Sequence, residues 1–106
     1  MKQRVELTLE RISTVARDMV DQDEVERAQS FATIKVMLDW LRDTNRDYNH
    51  NNICARENLD RIEGNIAVLA GLEAGGDTDE PTLLAWVYGD VDSAGSELAL
   101  GAIESD

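Results

Sequence analysis

Residues 5–19 read VELTLERISTVARDM, and this stretch decides the fold class. Its apolar positions recur at spacings of four, three, four and three. This is the period of one helix face that packs along its length against another helix. Charged residues fill the positions between them and predict a solvent-facing side. The pattern therefore predicts a first helix over about residues 3–20, with a seam formed by Val5, Leu9, Ile12, Ala16 and Met19.

A second helix is predicted to begin near Asp21, as N-cap, with Glu24 completing a capping box. It should end near Thr44, because the eight Asn- and Asp-rich residues 45–52 favour a loop. Its apolar arc is too broad for one neighbouring helix to cover, so we expect it to contact a third helix or another subunit. The arc comprises Ala28, Phe31, Ile34, Val36, Met37, Leu38, Trp40 and Leu41.

A third helix is predicted from a cap at Asn51 or Asn52 to about Leu72. Gly64 lies inside it and costs up to about 1 kcal/mol relative to Ala, unless close packing requires the missing side chain. Three glycines and four acidic or polar residues then predict a flexible acidic connection, formed by Gly71, Gly75, Gly76 and residues 77–80.

The remaining residues predict weaker helical structure. Pro81 fits the first turn of a short fourth helix, which Gly89 should end. Residues 93–103 predict a marginal helix or a disordered tail. The expected fold is therefore an all-α bundle of three main helices plus one or two short C-terminal helices. Residues 1–72 would form a three-helix core, and residues 73–106 an acidic C-terminal arm with short helices that either belongs to the same domain or is partly flexible.

The charge is distributed unevenly along the chain. The net charge is −12 over 106 residues, and all ten Lys and Arg precede residue 62, where they face twelve Asp and Glu. Residues 62–106 hold ten acids and no base. Such a block repels nucleic acid and anionic membranes and favours a basic partner. A solubilising tail is an alternative explanation, and so is a salt-loving source, since Arg outnumbers Lys eight to two.

The sequence predicts a cytoplasmic protein. No run of eighteen apolar residues is present, and the first residues lead into a charged amphipathic stretch rather than the apolar core of a signal peptide. The single cysteine, Cys54, cannot form an internal disulfide.

No motif indicates an enzyme, a cofactor or a metal site. His50 is the single histidine, and Cys54 has no second cysteine or base beside it. Residues 90–95 begin like an EF-hand loop, but Ala94 occupies a ligand position and Gly101 replaces the bidentate carboxylate.

The leading functional hypothesis is an acidic inhibitor or neutraliser that occupies the basic, nucleic-acid-binding surface of another protein. It is comparable in type, and in no family motif, to phage anti-defence proteins and antitoxins. Carboxylates would stand where phosphates bind, and large aromatic side chains would anchor the contact. The candidate partner-binding residues are Asp77, Asp79, Glu80, Trp86, Tyr88, Asp90 and Asp92.

Two other functions stay open. The chain could be a homodimeric structural adaptor or a secretion-type chaperone that binds a partner through an apolar helical groove. Its interface would be Phe31, Met37, Trp40 and Leu41, unless these residues pack with the C-terminal apolar residues in a closed four-helix core. A pocket for a small molecule, lined by Arg46, Tyr48 and His50, is the third hypothesis.

Overall fold

The chain forms four α-helices in the computed structural model, which describes residues 1–74 and 77–98. A 3₁₀ turn, Met19–Asp21, follows the first helix. Successive helices run antiparallel. The first and third helices each pack against both the second and the fourth. The all-α prediction is confirmed, and the described part of the chain holds no strand. The helices are α1 (Lys2–Asp18), α2 (Glu24–Tyr48), α3 (Ile53–Leu69) and α4 (Glu80–Leu98).

All four helices contribute to one core. Each residue of the predicted α1 seam is buried, as are Ile34, Leu38 and Leu41 of α2. Burial of one such side chain stabilises the fold by about 1.5–3 kcal/mol. Helix α4 supplies five buried core residues and α1 supplies four, so residues 80–98 of the predicted acidic arm form an integral helix of the bundle. Its buried residues are Leu83, Val87, Val91, Ala94 and Leu98.

The start of α2 differs from the prediction by two residues. Asp21 lies in the 3₁₀ turn, and the backbone becomes extended only at Gln22 and Asp23. Asp23 is therefore the N-cap, and its carboxylate accepts from the Glu26 backbone N–H at 2.8 Å. Glu26 completes the capping box by accepting from the Asp23 N–H at 3.2 Å. The predicted cap at Asp21 with Glu24 is wrong.

Helix α2 continues past its predicted end at Thr44 to Tyr48. Asn45 is fully buried, and its Nδ2 donates to the Asn52 backbone carbonyl at 3.0 Å. Asn49 in turn donates to Asn45 Oδ1 at 2.9 Å and to the Glu97 carbonyl at 3.1 Å. Because these amides are satisfied by tertiary partners, they do not compete for the backbone bonds of the helix. The loop is consequently limited to residues 49–52.

Helix α3 begins as predicted, with the Asn52 side chain accepting from the Ala55 N–H at 3.1 Å. It ends at Leu69, three residues earlier than expected, and Gly71 follows in the left-handed region with a φ of 78°. Glycine is required there because an L side chain would clash with the backbone.

Helix α4 is longer than predicted. Pro81 lies in its first turn, as expected, but the helix passes through Gly89 and is described as far as Leu98. The prediction that Gly89 ends the helix is wrong, since burial of the apolar residues on both sides of Gly89 outweighs its low helix propensity. Residues 75, 76 and 99–106, including the predicted hinge glycines and the apolar Leu100 and Ile103, lie outside the described residues.

None of the described helices combines the length and the apolarity that a bilayer crossing requires.

Candidate functional site

An open groove of about 720 Å³ runs along the outer surface between α3 and α4. Its centre is formed by small residues of both helices, and its edges carry an aromatic ring and an ion pair. Nothing in the described part of the chain fills it. The lining residues are Arg61, Gly64, Asn65, Ala85, Trp86, Gly89, Asp90 and Ser93.

Trp86 forms one wall of the groove and is the largest exposed aromatic side chain described. Leu83 and Val87 are its buried neighbours on α4 and fix the orientation of the helix against the core. Position 86, which lies between them, consequently points away from the core, and the Trp86 side chain is 50% exposed. Half-exposed tryptophan is unusual, because its large apolar area favours burial. Tyr88, two residues further on, is 37% exposed and lies on a different face of the helix.

The polar end of the groove is a bridge between α3 and α4. The Arg61 Nε donates to Asp90 Oδ1 at 3.2 Å, and its Nη2 donates to the buried Asn58 Oδ1. Asp90 therefore has an internal partner, and its charge is balanced locally. The guanidinium remains 54% exposed, so the pair contributes at most about 1 kcal/mol to stability.

The three predicted acidic residues at the start of α4 have different local roles. Asp79 accepts from the Thr82 backbone N–H at 2.9 Å, which caps the helix, and hydrogen bonds from the Thr82 side chain and backbone lower the pKa of Asp79 below its ordinary value. Glu80 accepts from Arg27 Nη1 at 2.8 Å. Asp77 is exposed.

The predicted carboxylates do not form one array. Asp92 lies on the α1 side of α4, beside Glu6 and Glu10, whereas Asp90 lies at the α3 side. The other three are at the first turn of α4 or before it. The structure thus brings only Asp90 and Trp86 together in one site, and it disperses the other proposed phosphate mimics over separate surfaces.

The second predicted surface, on α2, is largely covered by the chain itself. Leu41 is fully buried and belongs to the core, so it is not part of an exposed interface. Phe31, Met37 and Trp40 are partly buried against the core. The Arg4 guanidinium lies over the Trp40 ring, 4.8 Å from its centroid, and covers that face of the ring.

The residues considered for a small-molecule pocket remain on the surface. Arg46 bonds to Asp47 at 2.9 Å and contacts Asp43 at 3.3 Å, and these partners raise the pKa of Arg46. Tyr48 and His50 are exposed at the end of α2 and in the turn. No pocket among the described residues unites the three.

The candidate metal and thiol residues are not assembled into a site. Cys54 is exposed in the first turn of α3. Asp90 and Asp92 lie inside α4, so the segment that resembles an EF-hand is helical where it is described. Residues 1–74 and 77–98 contain no group of three His, Cys, Asp or Glu able to hold a metal ion.

Sequence reasoning missed the groove itself. One signal for it was Gly64, because a glycine inside a helix lowers helix stability and is usually explained by close packing. Gly89 gave the same signal but was interpreted as a helix end. Recognition of the groove required knowing that α3 and α4 are adjacent and that both glycines face the same side.

Comparison of the chain with protein-family models, with curated proteins and with solved structures finds no match.

Proposed function

We propose that this protein is a non-enzymatic binding protein that docks on the basic surface of a partner protein and inhibits it by covering that surface. One observation carries the proposal: the half-exposed Trp86, which belongs to residues 62–106 with their ten acids and no base, borders an open groove between α3 and α4. Exposed tryptophan beside a concave surface is typical of protein interfaces, where it often supplies much of the binding energy.

The charge supports a basic partner in two ways. A net charge of −12 attracts a basic protein over a Debye length and accelerates encounter. At the groove itself, α4 carries acidic side chains and no Lys or Arg. The dispersal of the carboxylates favours this general attraction over a phosphate-by-phosphate imitation of nucleic acid. In this form, Trp86 supplies the direct contact with the partner, and the electrostatic field of the whole protein selects a partner that is basic.

The test is affinity capture from the source cells with the full-length protein, its Trp86→Ala variant and a Val36→Ala control. Val36 is 70% exposed on α2, away from the groove, and is therefore a matched apolar surface change. We expect one basic protein to be retained by the wild type and the control, and to be reduced at least about tenfold by Trp86→Ala. Equal capture by all three variants would refute the role of the groove.

The salt dependence of the same complex tests the electrostatic half of the proposal. Between about 0.1 M and about 1 M NaCl the Debye length falls from roughly 10 Å to roughly 3 Å. The association rate should fall steeply over this range when it is measured by surface plasmon resonance. A rate that is independent of salt would argue for an apolar interface without charge steering.

Inhibition is tested by competition. If the captured partner binds nucleic acid, the wild-type protein should displace a labelled oligonucleotide from it, and Trp86→Ala should do so at concentrations at least about tenfold higher. A stable complex of all three components would show that the protein binds without covering the nucleic-acid surface.

A homodimeric adaptor is the second candidate, and exposed apolar residues on α2 favour it. Val25 and Val36 are 66% and 70% exposed, and their separation of eleven residues, about three turns, places them on one face. Sedimentation equilibrium of the wild type and a Val25→Glu/Val36→Glu variant tests this candidate. A wild-type dimer that the double variant abolishes would support it, and a monomer at all concentrations would exclude it.

A further inference from the structure

The groove contains two helix-interior glycines that the fold does not explain. Gly64 lies in the second half of α3, and Gly89 lies in the middle of α4. Glycine destabilises a helix interior relative to Ala because it loses more conformational freedom on folding. Neither glycine has a positive φ, and a Cβ built on either one meets no atom within 4 Å. Alanine would therefore be accommodated within the protein at both positions.

The other two described glycines differ from this pair. Gly71 has a φ of 78° and terminates α3. A Cβ on Gly95 would lie 3.7 Å from Leu9 Cδ1, in ordinary packing contact with α1. Gly64 and Gly89 are thus the two described glycines that have neither a positive φ nor a neighbour near the missing side chain, and both line the groove beside Trp86.

Missing side chains at these positions allow another backbone to come close to both helices. Ala85, Gly89 and Ser93 are spaced by four residues and so form one row along α4. Trp86 rises beside this row as an apolar wall. A row of small residues next to a large aromatic side chain accommodates a rod-shaped ligand whose own side chains pack against the ring.

The walls of the groove determine the backbone form of that ligand. Both walls are helix interiors, in which the N–H and C=O groups are already bonded within the helix. They offer no edge to which an extended strand could add hydrogen bonds, so strand addition is excluded. A helix satisfies its own backbone and needs only side-chain contacts.

Charge complementarity determines the flanks of the ligand. The described part of α4 carries four acidic residues and no Lys or Arg. Of these, only Asp90 lines the groove, where it pairs with Arg61, so the complementarity comes from the acidic surface around the groove and from the net charge of −12. A helix with Lys or Arg beside its apolar stripe complements this surface, whereas a second copy of the chain would add a further charge of −12. The acidic residues of α4 are Glu80, Asp90, Asp92 and Glu97.

We infer that the α3–α4 groove binds a basic amphipathic α-helix of the partner, with its apolar side against Trp86 and its backbone close to Gly64 and Gly89. The inference rests on the proposed function and specifies the partner segment that the groove receives.

The test compares two fluorescein-labelled peptides of Ala, Leu and Lys that have the same composition. Each peptide also contains two prolines. In the first, the prolines are at the ends, so that the peptide forms a helix with an apolar stripe flanked by Lys. In the second, the prolines are central and break the helix. Fluorescence anisotropy with the full-length protein should give a Kd at least about tenfold lower for the helical peptide.

Groove geometry is tested with a Gly64→Ala/Gly89→Ala variant and a Gly95→Ala control. The double variant places two methyl groups where the ligand backbone would approach the helices and should weaken binding of the helical peptide at least about tenfold, although its thermal stability rises. Gly95→Ala should leave the Kd unchanged. A gain in stability together with a loss of binding separates the groove from a general folding defect.

Several results would overturn the inference. Equal affinity for both peptides, with Trp86→Ala still weakening each of them, would leave the proposed function in place and remove the helical partner. Unchanged binding by the double glycine variant would do the same. Absence of binding to either peptide would also reject the helical ligand. Self-association of the wild type that the double variant abolishes would reject it too, because the groove would then bind a second copy of the chain.

Discussion

The Arg27 guanidinium reaches Glu80 Oε1 at 2.8 Å and thereby joins the start of α2 to the first turn of α4. The same guanidinium donates to three backbone carbonyls, those of Val20, Gln22 and Leu69, at 2.9–3.1 Å. One side chain of α2 therefore contacts the 3₁₀ turn after α1, the end of α3 and the start of α4 at this pole of the bundle. Its carbonyl acceptors lie at helix ends, where no intrahelical donor is available.

Replacement of Arg27 by Ala should lower the free energy of unfolding by about 2–3 kcal/mol, because hydrogen bonds from a charged donor to partly buried acceptors are lost. Most of the effect should come from the carbonyl bonds, since Glu80 is 41% exposed and its attraction is screened by solvent. Urea denaturation followed by circular dichroism measures the change. Arg17→Ala is the control: this side chain is 66% exposed, and its loss should cost less than about 0.5 kcal/mol. Equal effects of the two substitutions would contradict the role given to Arg27.

The opposite pole of the bundle depends on Asn45. Asn45→Leu should lower the free energy of unfolding by about 1–3 kcal/mol, because it leaves the Asn52 backbone carbonyl and one side-chain Nδ2–H of Asn49 without their partners. A double-mutant cycle with Asn49→Ala, measured by urea denaturation, should show that the two losses are not additive. Additive losses would indicate that the amides act independently. Gln3→Ala, on the exposed side of α1, serves as the neutral control.

These two polar clusters mark the limit of what the sequence predicted. The seam of α1 followed from periodicity alone, because a helix that buries one face must repeat apolar residues at that period. Arg27 and Asn45 carried no comparable signal. An arginine on a charged helix and an asparagine before a turn usually face solvent, and their partners come from residues up to 53 positions away. The assembled bundle creates the Leu69 and Glu80 partners of Arg27. Asn45 meets Asn49 and Asn52 locally, because α2 continues to Tyr48.

The candidate site was predictable in part for the same reason. Trp86 was selected for its size in an acidic region, and the structure leaves it exposed at the groove. Whether the proposed carboxylates form a row depends on which faces of α4 carry them. The predicted end of α4 at Gly89 left residues 90 and 92 without an assigned helix face. Once α4 is continuous, residues 90 and 92 point to different neighbours, and Glu80 faces Arg27.

Alanine substitution at four glycines should have opposite effects on stability. Gly64→Ala, Gly89→Ala and Gly95→Ala should each raise the free energy of unfolding by about 0.5–1 kcal/mol, since all three are helical and have room for a Cβ. Gly71→Ala should lower it by about 1–2 kcal/mol, because its φ of 78° is unfavourable for an L side chain. Thermal melts of the four variants measure the signs. A destabilising Gly89→Ala would mean that the groove is narrower than described.

The N-cap of α4 gives a pH dependence whose sign follows from the pKa of Asp79. Hydrogen bonds from the Thr82 side chain and backbone hold this pKa below its ordinary value of 3.8. The ionised form is thus favoured in the folded state, and its contribution to stability is fully present above about pH 5. It is lost as the pH falls through the folded pKa, because the folded and unfolded carboxyls are then both protonated.

Asp79→Asn isolates this contribution, because asparagine also accepts the capping hydrogen bond but does not titrate. All other carboxylates are common to the two proteins, so their effects cancel in the difference between wild type and variant. The stability advantage of the wild type should be constant above about pH 5 and should shrink between about pH 4 and pH 2, measured by urea denaturation at each pH. An advantage that persists unchanged at pH 2, or one that grows, would show that the Asp79 carboxylate is not stabilised by the Thr82 contacts in solution.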